Sequence, residues 1–100
     1  MTNPLELVER SKHFHTQPRF SIMYLLFLRR RVGFTELRKL LDLSPGNLDH
    51  HLRKLEEVGL VRNRRVISWR PLIVVEITEE GAESFREYAM HLKTMLDHIE

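Results

Sequence analysis

Leu43-Ser44-Pro45-Gly46-Asn47-Leu48-Asp49-His50-His51-Leu52-Arg53-Lys54-Leu55-Glu56-Glu57-Val58-Gly59-Leu60-Val61 is the stretch that decides the fold. Ser44 is a helix N-cap, and Pro45 takes the first helical position, where a missing N–H costs nothing. Leu43 and Leu48 flank that cap as a hydrophobic staple. Leu48, Leu52 and Leu55 recur with helical period and form one buried stripe. Val58-Gly59 ends the helix, and Leu60-Val61 opens a different pattern.

Immediately upstream, Thr35 reads as the cap of a shorter helix carrying Leu37, Leu40 and Leu41 on one face. The break between the two helices falls at Asp42-Leu43-Ser44. Further back, Gln17-Pro18 starts a helix through Phe20, Ile22, Met23, Leu25, Leu26 and Leu28 that is apolar on most sides, as a central core helix is. Arg29-Arg30-Arg31 are cations suited to its C-terminus, and Gly33 stops it. At the start of the chain, Asn3-Pro4-Leu5-Glu6 reads as the capped beginning of a short helix that runs to about Phe14.

Downstream, Val61, Val66, Ile67 and the run Leu72 to Ile77 are β-branched segments around Ser68-Trp69-Arg70-Pro71, a hairpin with its tip at the Trp-Arg-Pro turn. Thr78 then caps a last helix that runs nearly to the end. Its apolar residues Ala82, Phe85, Ala89, Leu92, Leu96 and Ile99 are spaced 3-4-3-4-3, the seam of a coiled coil. The expectation is an α+β chain, mainly helical with a small hairpin. It is read as a single domain over 1–100: an N-terminal helix (1–15), a three-helix core (17–59), a wing hairpin (60–78) and a dimerisation helix (79–100).

Composition narrows the function. The net charge of +2 hides an asymmetry: residues 10–70 carry 14 Lys and Arg against 5 Asp and Glu, whereas residues 71–100 carry 2 against 7. A basic body with an acidic tail separates a polyanion-binding surface from another kind of contact. There is no cysteine, which excludes disulfides, thiolate metal sites and cysteine nucleophiles and fits a reducing compartment. No secretory signal is visible at the N-terminus, and the longest apolar run, Ile22 to Leu28, is too short to span a bilayer. A cytoplasmic location without membrane contact is expected. No phosphate-cradling glycine loop, nucleophile motif or paired carboxylates are apparent, so no enzymatic activity is expected.

Two short helices joined by a tight turn and followed by a hairpin describe a winged helix-turn-helix, whose second helix enters the major groove of duplex DNA while the first braces it. With the leucines inward, Pro45, Gly46, Asn47, Asp49, His50, Arg53 and Lys54 lie on or beside the exposed face. Asn47 can pair with the N6/N7 edge of adenine, and Arg53 or Lys54 can reach guanine or phosphate. Asp49 either accepts from cytosine or orients Arg53 one helical turn away, and the second role is preferred. Ser44 and the free first-turn N–H groups suit a phosphate. Alternation along the strand puts Arg62 and Arg64 on one side and Arg65 on the other. Arg64, Arg65 and, at the turn, Arg70 are the wing's candidates for backbone or minor-groove contact. Trp69 is expected to pack against the hairpin or a neighbouring chain.

The run Phe34-Thr35-Glu36-Leu37 through Val61, with its Gly-Asn-Leu-x-x-His-Leu-x-x-Leu-Glu-x-x-Gly-Leu-Val core, resembles the winged helix DNA-binding regulators related to the ArsR and MarR groups. Arg70-Pro71 and Ile77-Thr78-Glu79-Glu80-Gly81 match their later R-P and L-T-x-x-G elements. The resemblance spans roughly 18–90 and implies a dimeric repressor or activator, with Asp49 standing where family members usually carry Ser or Thr. Metal-sensing ArsR relatives place acidic and histidine ligands on the last helix. Here His91 and His98 lie two turns and about 10 Å apart, too far to share an ion within one chain. No metal, no cofactor and no particular effector are assigned. Protonation of His50 and His51 below about pH 6.5 predicts tighter DNA binding at mildly acidic pH.

The seam on the last helix needs a partner. Pairing with a symmetry mate through Phe85, Ala89, Leu92, Leu96 and Ile99 is the favoured reading, and folding back on the domain's own core is the alternative. A homodimer would set two reading helices about one duplex turn apart on a pseudo-palindromic site. The competing functions are a winged helix used as a protein-interaction module and a nonspecific architectural DNA-binding protein.

Overall fold

The computed structural model describes Phe14, residues 16–67, Trp69 and residues 72–99. The expected N-terminal helix, apart from Phe14, and the turn residues Arg70 and Pro71 lie outside the described residues.

Helix α1 (Gln17–Arg29) begins where Thr16 accepts a hydrogen bond from the Arg19 amide and Pro18 sits in the first turn. Its Ile22, Met23 and Leu26 are fully buried. The helix does not continue through the arginine triplet. Arg30 adopts φ 71° and returns its N–H to the Leu26 carbonyl, while its own carbonyl accepts from Ile77. The chain therefore reverses into a short strand, β1 (Arg31–Gly33), that the sequence reading assigned to the helix end. Three residues with one buried side chain, Val32, give no alternation to read.

Gly33 is then the N-cap of α2 (Phe34–Leu41), without a side-chain capping bond, so Thr35 lies in the first turn instead of capping it. Asp42 closes α2 in the left-handed conformation that Asp tolerates, and the amides of Asp42 and Leu43 bond back to Lys39 and Arg38. One residue later Ser44 caps α3 (Pro45–Glu57).

Strands β2 (Val61–Val66) and β3 (Leu72–Ile77) form the expected hairpin, and β1 pairs antiparallel with the free edge of β3 to make a three-stranded sheet in the order β1-β3-β2. The register places Val32 and Asn63 against Val75, and Val61 against Ile77. Val32, Val61, Val75 and Ile77 share the inner face and are buried; Arg31, Arg62, Arg64 and Glu76 share the outer face.

Helix α4 (Glu79–Asp97) starts at Thr78, whose hydroxyl accepts from the Gly81 amide. The seam divides along its length. Ala82 and Phe85 are buried in this chain's own core, whereas Leu96 and Ile99 are 64% and 70% exposed. Phe85 is ringed by Phe14, Phe20, Phe27 and Tyr88 at centroid distances of 5.4–6.4 Å, favourable edge-on and tilted geometries. Phe85, which the spacing placed with the intermolecular seam, is packed within this chain's own core, while Leu96 and Ile99 on the same stripe stay open.

Candidate nucleic-acid interface

Helix α3 stands on Leu48, Leu52 and Leu55, each with no exposed surface. Burying each such side chain is worth roughly 1.5–3 kcal/mol, so the helix cannot roll about its axis without losing that packing. Leu43 packs against the same core just before the cap. The opposite face is left to solvent: Pro45, Gly46, Asn47, His50, Arg53 and Lys54 are exposed, and Asp49 is half-exposed at its edge. Ser44 accepts from the Asn47 amide at 3.2 Å, which fixes the first turn.

Arg53 donates through both Nε (3.0 Å) and Nη2 (2.6 Å) to one oxygen of Asp49. The guanidinium is thereby held by one edge, one helical turn from its anchor. The brace is tied from below, where Arg29 at the end of α1 bonds Glu36 of α2 at 3.1 Å.

At the far end of α3, Glu56 accepts from the Asn63 amide at 3.0 Å, joining the helix to the first residues of the wing. On the outer face of the sheet Glu76 meets Arg62 at 3.6 Å and Arg64 at 3.3 Å. Arg62 and Arg64 do lie together, as alternation requires, but Arg64 has its charge engaged by a carboxylate. Arg65 sits on the other face, opposite Ile73 in the register and exposed beyond the end of the core. The Glu76 ties escaped the sequence reading because strand register brings them about, and the Glu56 tie because it depends on how β2 folds back against the end of α3. Arg70 lies outside the described residues. Trp69, expected to pack on the hairpin or a neighbouring chain, is 92% exposed among the described residues.

His51 departs from the expectation that two histidines gain charge together. Burial, then the Arg19 guanidinium, then His50 all hold its pKa below the ordinary 6.5. Its Nδ1 is buried without a hydrogen-bond partner among the described residues. Acidification should therefore strengthen DNA binding less than two protonating histidines would. The sign for stability follows. Because the folded form resists the proton, the unfolded chain takes it up first, and stability present above about pH 6.5 is lost as pH falls below that value. His51→Gln is expected to flatten this slope in urea melts between pH 7.5 and 5.5. Parallel slopes for both proteins would refute the assignment.

Among the described residues no three His, Asp or Glu side chains lie close enough to hold a metal ion. No helix among them is long and apolar enough to cross a membrane.

Comparison with known proteins agrees with this geometry. Residues 19–96 match the profile of a family described as winged helix DNA-binding domain. The chain is 36% identical over 90 residues to the uncharacterized protein MJ0432 of Methanocaldococcus jannaschii, covering 89% of this chain and 98% of that one. It is 26% identical over 88 residues to the uncharacterized HTH-type transcriptional regulator YdgJ of Bacillus subtilis, covering 84% of this chain and 54% of that protein, about half its length. Among solved structures, the transcriptional regulator homologue protein from Pyrococcus horikoshii OT3 superposes with a TM-score of 0.85 at 42% identity over 93% of each chain. A protein from Enterococcus faecalis V583 assigned to the MarR family of transcriptional regulators shares the fold, with a TM-score of 0.80 at 21% identity over 97% and 91% of the two chains.

Proposed function

The chain belongs to the winged helix DNA-binding domain family, a family of transcriptional regulators and not of enzymes, and from that premise we propose that it is a homodimeric regulator that reads a specific duplex sequence. The observation that carries the reading is the division of α3 into a fully buried leucine stripe and an exposed polar face. A helix inserted in the major groove needs both. In this reading Asn47, Arg53 and Lys54 meet base edges or phosphates, with Pro45 and Gly46 keeping the approach narrow and His50 beside them. Ser44 and the first-turn amides take a phosphate. Arg65 is the wing residue best placed to join them, and Arg70 follows in the sequence; Arg64 contributes after leaving Glu76.

The homodimer is supported by an apolar groove of about 420 Å³ between α1 and α4, open to solvent and lined by Tyr24, Leu28, Ala89, Leu92 and Leu96 above Phe85. With Ile99 beyond it, 70% exposed, the open end of α4 presents apolar side chains to solvent that a second copy could cover. A twofold axis through it would bury the surface on both copies at once. The whole chain then acts as one domain, in the cytoplasm with the DNA it reads. A protein-interaction module would instead expose apolar residues on α3, whose open face is polar.

Selection from random-sequence duplex pools at two salt concentrations tests the proposal. A pseudo-palindrome is expected, with half-sites about one turn apart and binding weakened by added salt. Asn47→Ala should weaken it several-fold. Salt-sensitive binding without enrichment would make the protein architectural, and no binding at low salt would reject DNA altogether.

A further inference from the structure

The wing ends in an apolar tip that the reading helix leaves unexplained. Ile67 is 87% and Trp69 92% exposed, and Val66, Leu72 and Ile73 around them are all at least two-fifths exposed. Side chains this open contribute nothing to the core, so their apolar surface is free for a partner. The arm that carries them is basic: Arg62, Arg64 and Arg65 precede the tip, Arg70 follows Trp69 in the sequence, and no Asp or Glu occurs from residue 63 to residue 75. The arm is also fixed relative to α3 by the bond from the Asn63 amide to Glu56. A duplex engaged by α3 therefore meets the wing along its flank.

Resting on the DNA-binding reading above, we propose that Trp69, assisted by Ile67, is an apolar wedge that enters the minor groove beside the half-site and stacks on a base step. Apolar side chains inserted in this way unstack the step and bend the duplex, while flanking arginines hold the phosphates. The charge around the tip selects this occupant. A segment whose residues 63–75 carry arginines and no carboxylate, with Glu76 next along the strand already held by Arg62 and Arg64, suits a polyanion with stacked bases better than an ordinary protein surface. The deformation costs least at pyrimidine–purine steps. The wedge thus adds a preference at a position that α3 never touches.

Trp69 is the single tryptophan of the chain, so its fluorescence reads the site directly in the unlabelled full-length protein. Binding is followed independently by anisotropy of a dye on a mixed-sequence duplex at low salt, and then on the selected site. The expected result is quenched emission and several-fold lower accessibility to iodide at saturation. Trp69→Ala should weaken the complex about tenfold and reduce the duplex bend in permuted-site gels, and Trp69→Phe should restore most of both. Unchanged emission at saturation by anisotropy overturns the wedge while leaving DNA reading intact. An emission shift that follows protein concentration without DNA overturns it in favour of a contact between copies. No anisotropy change at all overturns the DNA reading itself, and the wedge with it.

Discussion

Gly81→Ala is expected to destabilise the fold by about 3 kcal/mol or more, at the upper end of the overpacking range, and to lower the melting temperature by roughly 10–25 °C for a chain of this size. A Cβ at this position would lie 2.0 Å from the Leu60 carbonyl oxygen and 2.9 Å from its carbon. No side-chain rotation relieves a clash with backbone. Nor is that carbonyl free to move, because it accepts from the Thr78 amide at 3.1 Å and lies 3.2 Å from the Thr78 hydroxyl. The same hydroxyl donates to Gly59 at 2.6 Å, and the Leu60 amide bonds Leu55 at 3.0 Å. Any shift would loosen the end of α3, the start of β2 and the cap of α4 together. Total stability for a domain of this size is about 5–15 kcal/mol, so the loss is a large share of it. Gly46→Ala is the control: nothing lies within 4 Å of its Cβ position, and its melting temperature should hold or rise slightly through helix propensity. Thermal melts by circular dichroism decide the matter. A Gly81→Ala protein melting within a few degrees of the parent would show that α4 can lift off Leu60 freely.

That junction also shows which parts of the molecule local sequence can reveal. Thr78 as a cap and Gly81 in the L-T-x-x-G element were readable, but the carbonyl that excludes a methyl group comes from 21 residues earlier in the chain. Helix α3 was legible because its cap, its first-turn proline and its leucine period all lie within one local stretch and agree. The Asp49–Arg53 pair was legible for the same reason, being one helical turn apart. Strand β1 was not, since Arg31, which looks like part of a helix end, is in fact held extended by pairing with β3. Spacing alone also could not say where the stripe on α4 turns from this chain's core to the open groove. That boundary is set by Phe14, Phe20 and Phe27 gathering around Phe85. The neutral bias on His51 likewise depends on its burial first and on Arg19 second, both of which come from the packing of α1 beside α3.

Arg53→Ala is expected to weaken binding to the selected duplex about 10- to 100-fold, the range of one good arginine–guanine contact. Asp49→Ala should produce a different signature. The pair is on the surface, with the two side chains 71% and 45% exposed, so solvent screening leaves it little weight in stability. Its effect is instead on orientation. Holding Nε and Nη2 on one carboxylate oxygen leaves the outer end of the guanidinium for a base and removes rotamers that would have to be frozen on binding. Charge pulls the opposite way, because removing a carboxylate from a face that meets phosphates favours every sequence alike. The two effects separate in a ratio. With Asp49→Ala, affinity for bulk DNA should hold or rise, while preference for the selected site over bulk DNA falls about tenfold. In the double variant the preference should fall no further than with Arg53→Ala alone, since two residues acting through one contact are not additive. Anisotropy titrations of all four proteins against selected and mixed-sequence duplexes measure this cycle. If Asp49→Ala tightens both duplexes by the same factor, Asp49 acts through its charge alone and Arg53 reaches the groove without guidance.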